Sequence, residues 1–205
     1  MSTPALHLVV GPNGAGKTTF YEEVLGPATH LPWINADAIA LEHWPDDPAI
    51  HAYDAARAAS DLRRDAIQAR RSFETETVFS HPSKLELLDQ ARAVGYLTLL
   101  HVILIPEELA VERVRIRVET GGHDVPAEKI RQRYRRLWKL VRSAISSAHR
   151  ADVRDNSRGN PPFRLVARFL DGELVGQAVW PPWTPPALKA RASNTSTPGA
   201  PESNR

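Results

Sequence analysis

Residues 6–18 read LHLVVGPNGAGKT, and the fold turns on this stretch. Leu6-His7-Leu8-Val9-Val10 is a short, largely apolar run that predicts a buried strand, and Gly11–Thr18 then matches G-x-x-x-x-G-K-[ST] directly off its end. Gly11, Gly14 and Gly16 let the backbone curl around an anion so that successive N–H groups point inward, with Pro12, Asn13 and Ala15 filling the variable positions. A helix opening near Gly16 adds the positive end of its dipole. Lys17 is placed to reach the β- and γ-phosphates, and the Thr18 hydroxyl, with Thr19 beside it, to ligate Mg²⁺. The motif predicts a site for a nucleoside triphosphate and Mg²⁺.

Composition sets the outer bounds. The chain has 205 residues, enough for one domain with appendages and a real core. It has no cysteine, which excludes disulfides and thiolate metal sites and agrees with a reducing, cytoplasmic setting. No apolar run approaches a membrane span, and the first ten residues lack a charged start and long apolar region, so no membrane partner is expected. The 26 Lys and Arg against 24 Asp and Glu give a net charge of +2, too small to demand nucleic acid.

Outward from the loop, strand-like and helix-like segments alternate, the pattern of a parallel sheet covered by helices. Strands are expected at 5–10, 33–35, 72–79, 96–105 and 151–155. Helices are expected at 16–25, 36–42, 49–70, 83–93, 106–120 and 126–149. The run 96–105 is apolar except for Thr98 and His101, as befits a central parallel strand. Asp171-Gly172 between two β-rich segments signals a hairpin that decorates the sheet edge and carries no chemistry. Six prolines follow from Pro181 among Ser, Thr and Asn, so the domain is expected to span 1–180 and a disordered tail 181–205, with Trp180 and Trp183 still able to pack.

Ligands in open α/β sheets bind beyond the carboxyl ends of the strands, so the polar residues there carry the functional reading. The second strand ends Asn35-Ala36-Asp37. An Asp here can accept the proton of a hydroxyl attacking the γ-phosphate, although Asn35 or Asp37 could equally cap the helix that follows. The third strand carries Glu74-Thr75-Glu76-Thr77, with the two acids on one face and the two threonines on the other. Glu76 lies nearer the carboxyl end and is the better site candidate. The strand 96–105 ends without an acid, which removes the usual metal-holding carboxylate of motor ATPases and favours a small kinase. Arginines at 113, 115, 117, 131, 133, 135 and 136 flank Gly121-Gly122, suggesting a two-helix lid with two or three residues touching phosphate, Arg117 and Arg133 foremost.

Taken together, the chain resembles the zeta toxin family of P-loop kinases over about residues 5–157. The resemblance rests on the phosphate loop, Asn35-x-Asp37, the Phe73–Ser80 strand, Gly121-Gly122-His123-Asp124-Val125-Pro126 with Ile130-Arg131-x-Arg133-Tyr134, and Asp155-Asn156-Ser157. It implies a three-layer α/β P-loop kinase fold: a central, mostly parallel five-stranded sheet, a helical lid and the C-terminal β-hairpin. It further implies an ATP-dependent kinase acting on a nucleotide sugar such as UDP-N-acetylglucosamine. By position, Gly11–Thr19 and Asn156 would hold ATP, Thr18 the Mg²⁺, and Asp37 would be the base. Asn35, Glu76, Thr77 and His123 would meet the substrate, and Arg117 and Arg133 would clamp the phosphates. Two departures fall on substrate contacts: Glu76-Thr77-Val78 lacks the family's last hydroxyl, and His123 stands where the family has a lid arginine. With the first strand at residue 5, an antitoxin is expected only as a separate polypeptide. Two other readings are a polynucleotide 5′-hydroxyl kinase, opposed by the lack of an aromatic-basic groove, and a non-catalytic ATP-binding module, opposed by the intact Lys17, Thr18 and Asp37.

Overall fold

The computed structural model describes residues 3–119 and 125–189. The Gly121-Gly122 turn, His123 and the chain beyond Lys189 lie outside these residues. The chain begins with β1 (Ala5–Val10), the loop, and α1 (Lys17–Phe20), which runs through a π-helical turn (Tyr21–Leu25) into α2 (Gly26–Thr29). Then follow β2 (Trp33–Ile34), α3 (Ala36–His43), α4 (Ala52–Gln68), β3 (Phe73–Thr77), α5 (Ser83–Ala93) and β4 (Leu97–Leu104). The second half holds α6 (Glu107–Glu119), α7 (Ala127–Ser147), β5 (Arg150–Asp155), β6 (Arg164–Leu170), β7 (Glu173–Leu174) and α8 (Pro186–Lys189).

The seven strands form one sheet in the order β2-β3-β1-β4-β5-β6-β7. The first five are parallel and the last two antiparallel. The five strands expected from the sequence are therefore the parallel part of the sheet, and the hairpin extends it beyond β5. Asp171 and Gly172 both take positive φ (46° and 83°), the backbone a two-residue hairpin turn requires.

Leu6, Leu8, Val9 and Val10 of β1 and Val102, Ile103 and Leu104 of β4 are fully buried, because helices cover both faces of these central strands. Each such side chain contributes on the order of 1.5–3 kcal/mol through burial. The strongly amphipathic α7 turns Ile130, Leu137, Val141 and Ile145 onto the core, and its Tyr134 hydroxyl donates to the Ile105 carbonyl at 2.9 Å. Since the five strands run the same way, Gly11, Asn35, Thr77 and Asn156 all fall on one edge of the sheet.

The disordered tail expected from Pro181 is corrected through Lys189. Pro181–Lys189 fold back as a turn and α8 against α7, with Leu188 buried and Trp183 half-buried. Burial of these two apolar side chains outweighs the proline-rich composition that suggested disorder.

Candidate active site

The phosphate loop is shaped by close approach as well as by dihedral angle. A Cβ at Gly11 would lie 2.6 Å from the Ile103 carbonyl oxygen. One at Gly16, where φ is +85°, would lie 2.7 Å from Asn156 Nδ2. Neither position tolerates a side chain. Gly14, at φ +71°, is crowded by the Ala110 carbonyl and Arg113. The loop is also tied from behind: Asn156 Nδ2 donates to the Ala15 carbonyl at 2.9 Å, and Arg113 donates to the carbonyls of Asn156 (2.9 Å) and Gly14 (3.4 Å). Gly11, Pro12 and Ala15 are buried behind the loop, whereas Asn13, Gly14, Gly16, Lys17, Thr18 and Thr19 line an open cleft of about 570 Å³.

Lys17 is only 9% exposed, and its ammonium donates to the Pro12 carbonyl at 3.2 Å. Burial lowers its pKa, the charges of Glu76 and Asp37 oppose that shift, and Arg117 adds to it. This buried cation faces the cleft with two carboxylates nearby, a setting suited to a phosphate. Asn13 Oδ1, on the same wall, is buried without a hydrogen-bond partner among the described residues.

The two readings of Asn35-x-Asp37 separate cleanly. Asn35 is the N-cap of α3, its side-chain oxygen accepting from the backbone N–H groups of Asp37 (2.7 Å) and Ala38 (3.1 Å). Asp37 sits in the first turn, exposed on the cleft, and among the described residues no hydrogen bond or ion pair engages its carboxylate. Capping belongs to Asn35, which leaves Asp37 available for chemistry.

The two glutamates of β3 also part. Glu74 is fully buried, accepting from the Thr29 hydroxyl, and burial raises its pKa. Glu76, in register with Val9, reaches the cleft and accepts a hydrogen bond from the Thr18 hydroxyl at 3.2 Å. Where β4 ends without an acid, β3, the other neighbour of β1, thus places one beside Thr18. Thr18 and Glu76 form a pair of hard oxygen donors beside the loop and fit Mg²⁺. Thr77 lies on the opposite face and accepts from the Phe79 N–H at 3.2 Å, closing the turn after β3.

Of the arginines, Arg113 and Arg117 line the cleft from one face of α6. Arg133 is not among the residues around it, and Arg131 and Arg135 are drawn to Glu107 and Glu108 at the start of α6. The expected pairing of Arg117 with Arg133 is therefore replaced, in this arrangement, by Arg117 with Arg113. Also unforeseen are Pro162 and Phe163, which form the apolar end of the cleft just before β6. Phe163 stacks edge-on against Phe20 at 5.2 Å. The only sequence signal for this wall was an apolar residue next to a Pro-Pro pair, which hairpin patterning alone does not single out.

A glycine-rich loop with a buried lysine, on the carboxyl edge of a β2-β3-β1-β4-β5 parallel sheet, is the hallmark of a P-loop kinase fold. The chain belongs to the AAA domain family, whose model matches residues 6–140. An uncharacterized protein of Haemophilus influenzae is 30% identical over 128 residues, covering 60% of this chain and 88% of that protein. Among the solved structures that share the fold at low identity are two from systems named by their partners. One, from the PezAT chromosomal toxin-antitoxin system of Streptococcus pneumoniae, superposes with a TM-score of 0.61 at 14% identity, covering 82% of this chain and 72% of its own. The other, AvrRxo1-ORF1:-ORF2 with ATP, gives 0.64 at 14% identity, covering 84% of this chain and 60% of its own. No described helix is long and apolar enough to cross a membrane.

Proposed function

We propose that the protein is an ATP-dependent kinase that transfers the γ-phosphate to a hydroxyl of a small molecule, a nucleotide sugar such as UDP-N-acetylglucosamine. The observation that carries the reading is the Asp37 carboxylate, released from capping by Asn35 and facing the same cleft as Lys17, Thr18 and Glu76. A module that only bound nucleotide would have no need of it.

In the proposed reaction the loop amides and Lys17 hold the β- and γ-phosphates, and Pro162 and Phe163 offer the base an apolar wall. Asp37 Oδ accepts the proton of the acceptor hydroxyl as its oxygen bonds to the γ-phosphorus. The bond from that phosphorus to the β-bridging oxygen breaks and ADP leaves. Arg117 faces the charge that develops on the transferring group. Thr18 and Glu76 would hold Mg²⁺, which supplies charge neutralisation across the phosphates. The toxin-antitoxin fold neighbour makes a separate inhibitor protein a natural extension of this proposal. The test is transfer from γ-labelled ATP to UDP-N-acetylglucosamine, to a 5′-hydroxyl oligonucleotide, or to neither. Label on the nucleotide sugar, lost in Asp37→Asn, is expected; label on the oligonucleotide alone, or none with any acceptor, overturns the reading.

A further inference from the structure

A second cavity, of about 270 Å³, opens on the face of β3 opposite α1, between α4 and α5. Glu76 lines both this cavity and the phosphate-loop cleft, so the two are adjoining chambers. Thr75 and Thr77 form its floor, and Arg63 from α4 and Lys84 from α5 enter it from its two sides.

The charges in this chamber are poorly matched. Arg63 is half-buried, and its one hydrogen bond among the described residues goes to the neutral Thr75 hydroxyl at 3.4 Å, which itself donates to the Ile34 carbonyl. Lys84 is half-buried, and among the described residues its ammonium has neither a hydrogen bond nor an ion pair. The other cation, Arg64, is already paired with Asp61 at 2.7 Å. Two carboxylates also line the chamber, but Glu76 is turned to Thr18, and among the described residues Glu86 forms no ion pair. Burial lowers the pKa of Lys84, and the nearby Arg63 charge lowers it further, so the two cations repel each other while, among the described residues, neither is ion-paired. Two half-buried like charges are unfavourable for the protein alone, and a bound anion relieves that cost.

We propose that this chamber is the acceptor's anionic subsite, in which Arg63 and Lys84 hold a phosphate or pyrophosphate group of the acceptor while its hydroxyl reaches Asp37. The acceptor is thereby one that carries a phosphate or pyrophosphate group rather than a neutral one. Arg63 offers a planar fork for two phosphate oxygens, Lys84 a point charge for a third, and the Thr75 and Thr77 hydroxyls neutral contacts. The inference rests on the kinase reading for the word acceptor, but the anion site itself does not.

The test therefore has a binding arm and a kinetic arm. With the phosphate loop saturated by a non-hydrolysable ATP analogue and Mg²⁺, pyrophosphate is titrated calorimetrically into the parent, Arg63→Lys, Lys84→Met and the surface control Lys139→Met. Binding by the parent and the control, weakened at least tenfold in Lys84→Met and measurably in Arg63→Lys, is expected. Absence of binding in the parent, or equal binding in all four, overturns the proposal. Melting of the free protein guards against misfolding: Lys84→Met, which removes an unmatched charge, should melt no lower than the parent, and a clear loss of stability would show a structural role instead. In the kinetic arm, Lys84→Met should raise KM for UDP-N-acetylglucosamine at least tenfold and leave KM for ATP unchanged. Transfer to neutral N-acetylglucosamine at equal efficiency in both proteins, and better than to the nucleotide sugar, counts against the subsite. If the binding arm holds while no acceptor is phosphorylated, the anion site stands and the kinase reading fails.

Discussion

Asn35 and Asp37 are two residues apart in one helix turn, yet substitution of each should read out on a different instrument. Asn35→Ala removes an acceptor for two backbone N–H groups, at 2.7 and 3.1 Å. Loss of such a cap costs about 0.5–2 kcal/mol, and a domain of this size shifts its melting point by about 2–4 °C per kcal/mol. A drop of roughly 1–8 °C is expected. Asp37→Asn removes no hydrogen bond among the described residues, only an exposed charge near a helix N-terminus worth about 0.3–1 kcal/mol. Its melting point should fall by about 4 °C at most. Loss of a general base lowers transfer by about 10²–10⁴-fold, which is about 2.7–5.4 kcal/mol of barrier. Asn35→Ala keeps the carboxylate and should lose far less. Differential scanning calorimetry and single-turnover transfer at saturating ATP measure the two quantities, with ATP affinity as a control. A variant Asp37→Asn that melts far below the parent yet transfers within tenfold of it would refute the reasoning and move the base to Glu76.

Other outcomes follow from the same geometry. Lys17→Ala should abolish ATP turnover and leave the circular dichroism spectrum unchanged, because Asn156 and Arg113 still brace the loop when the single bond from Lys17 to the Pro12 carbonyl is lost; undiminished turnover would exclude the kinase reading. Arg117→Ala should lower kcat more than it raises KM for ATP. Arg113→Ala should weaken ATP binding and stability together, since its guanidinium ties the Gly14 carbonyl of the loop to the Asn156 carbonyl after β5; the reverse pattern in steady-state kinetics would exchange the roles. Burial, reinforced by the His7 and Arg154 charges, depresses His101 from 6.5 to about 3. The unfolded chain therefore binds a proton below about pH 6.5 that the native protein refuses until about pH 3, so stability should fall with pH across that window, by up to about 1.4 kcal/mol per unit. Urea unfolding of the parent between pH 7 and 5 should show this slope, and His101→Gln should flatten it.

The parallel sheet was legible because its strands are short apolar runs punctuated by Gly and Pro, and the phosphate loop because its function requires glycine at fixed spacing. Asp37 and Glu76 were legible from their places at strand ends. Less legible was which of Asn35 and Asp37 caps α3, since either side chain can do so and only the hydrogen-bond geometry decides. The arginines were harder still. Helical spacing puts Arg113 and Arg117 on one face of α6, but nothing local reveals that Glu107 and Glu108 draw Arg131 and Arg135 away from the cleft. Pro162 and Phe163 escaped for a related reason: their place on the cleft depends on where β6 rejoins β5, a long-range pairing. The order of Pro181–Lys189 depends on Leu188 finding a site on α7, which composition does not express.

The bracing of the phosphate loop by Asn156 has a consequence for the order in which the protein matures. The bond from Asn156 to Ala15 spans 141 residues of chain, so a loop complete in sequence within the first 18 residues waits for the last strand of the parallel sheet before it is held in shape. During synthesis the nascent chain would carry the whole ATP motif long before it could grip ATP. A nascent chain released at about residue 149 should bind ATP poorly even if its first four strands have formed, whereas one extended past Phe163 should bind it well. Affinity for nucleotide would then act as a proofreading mark on the finished sheet.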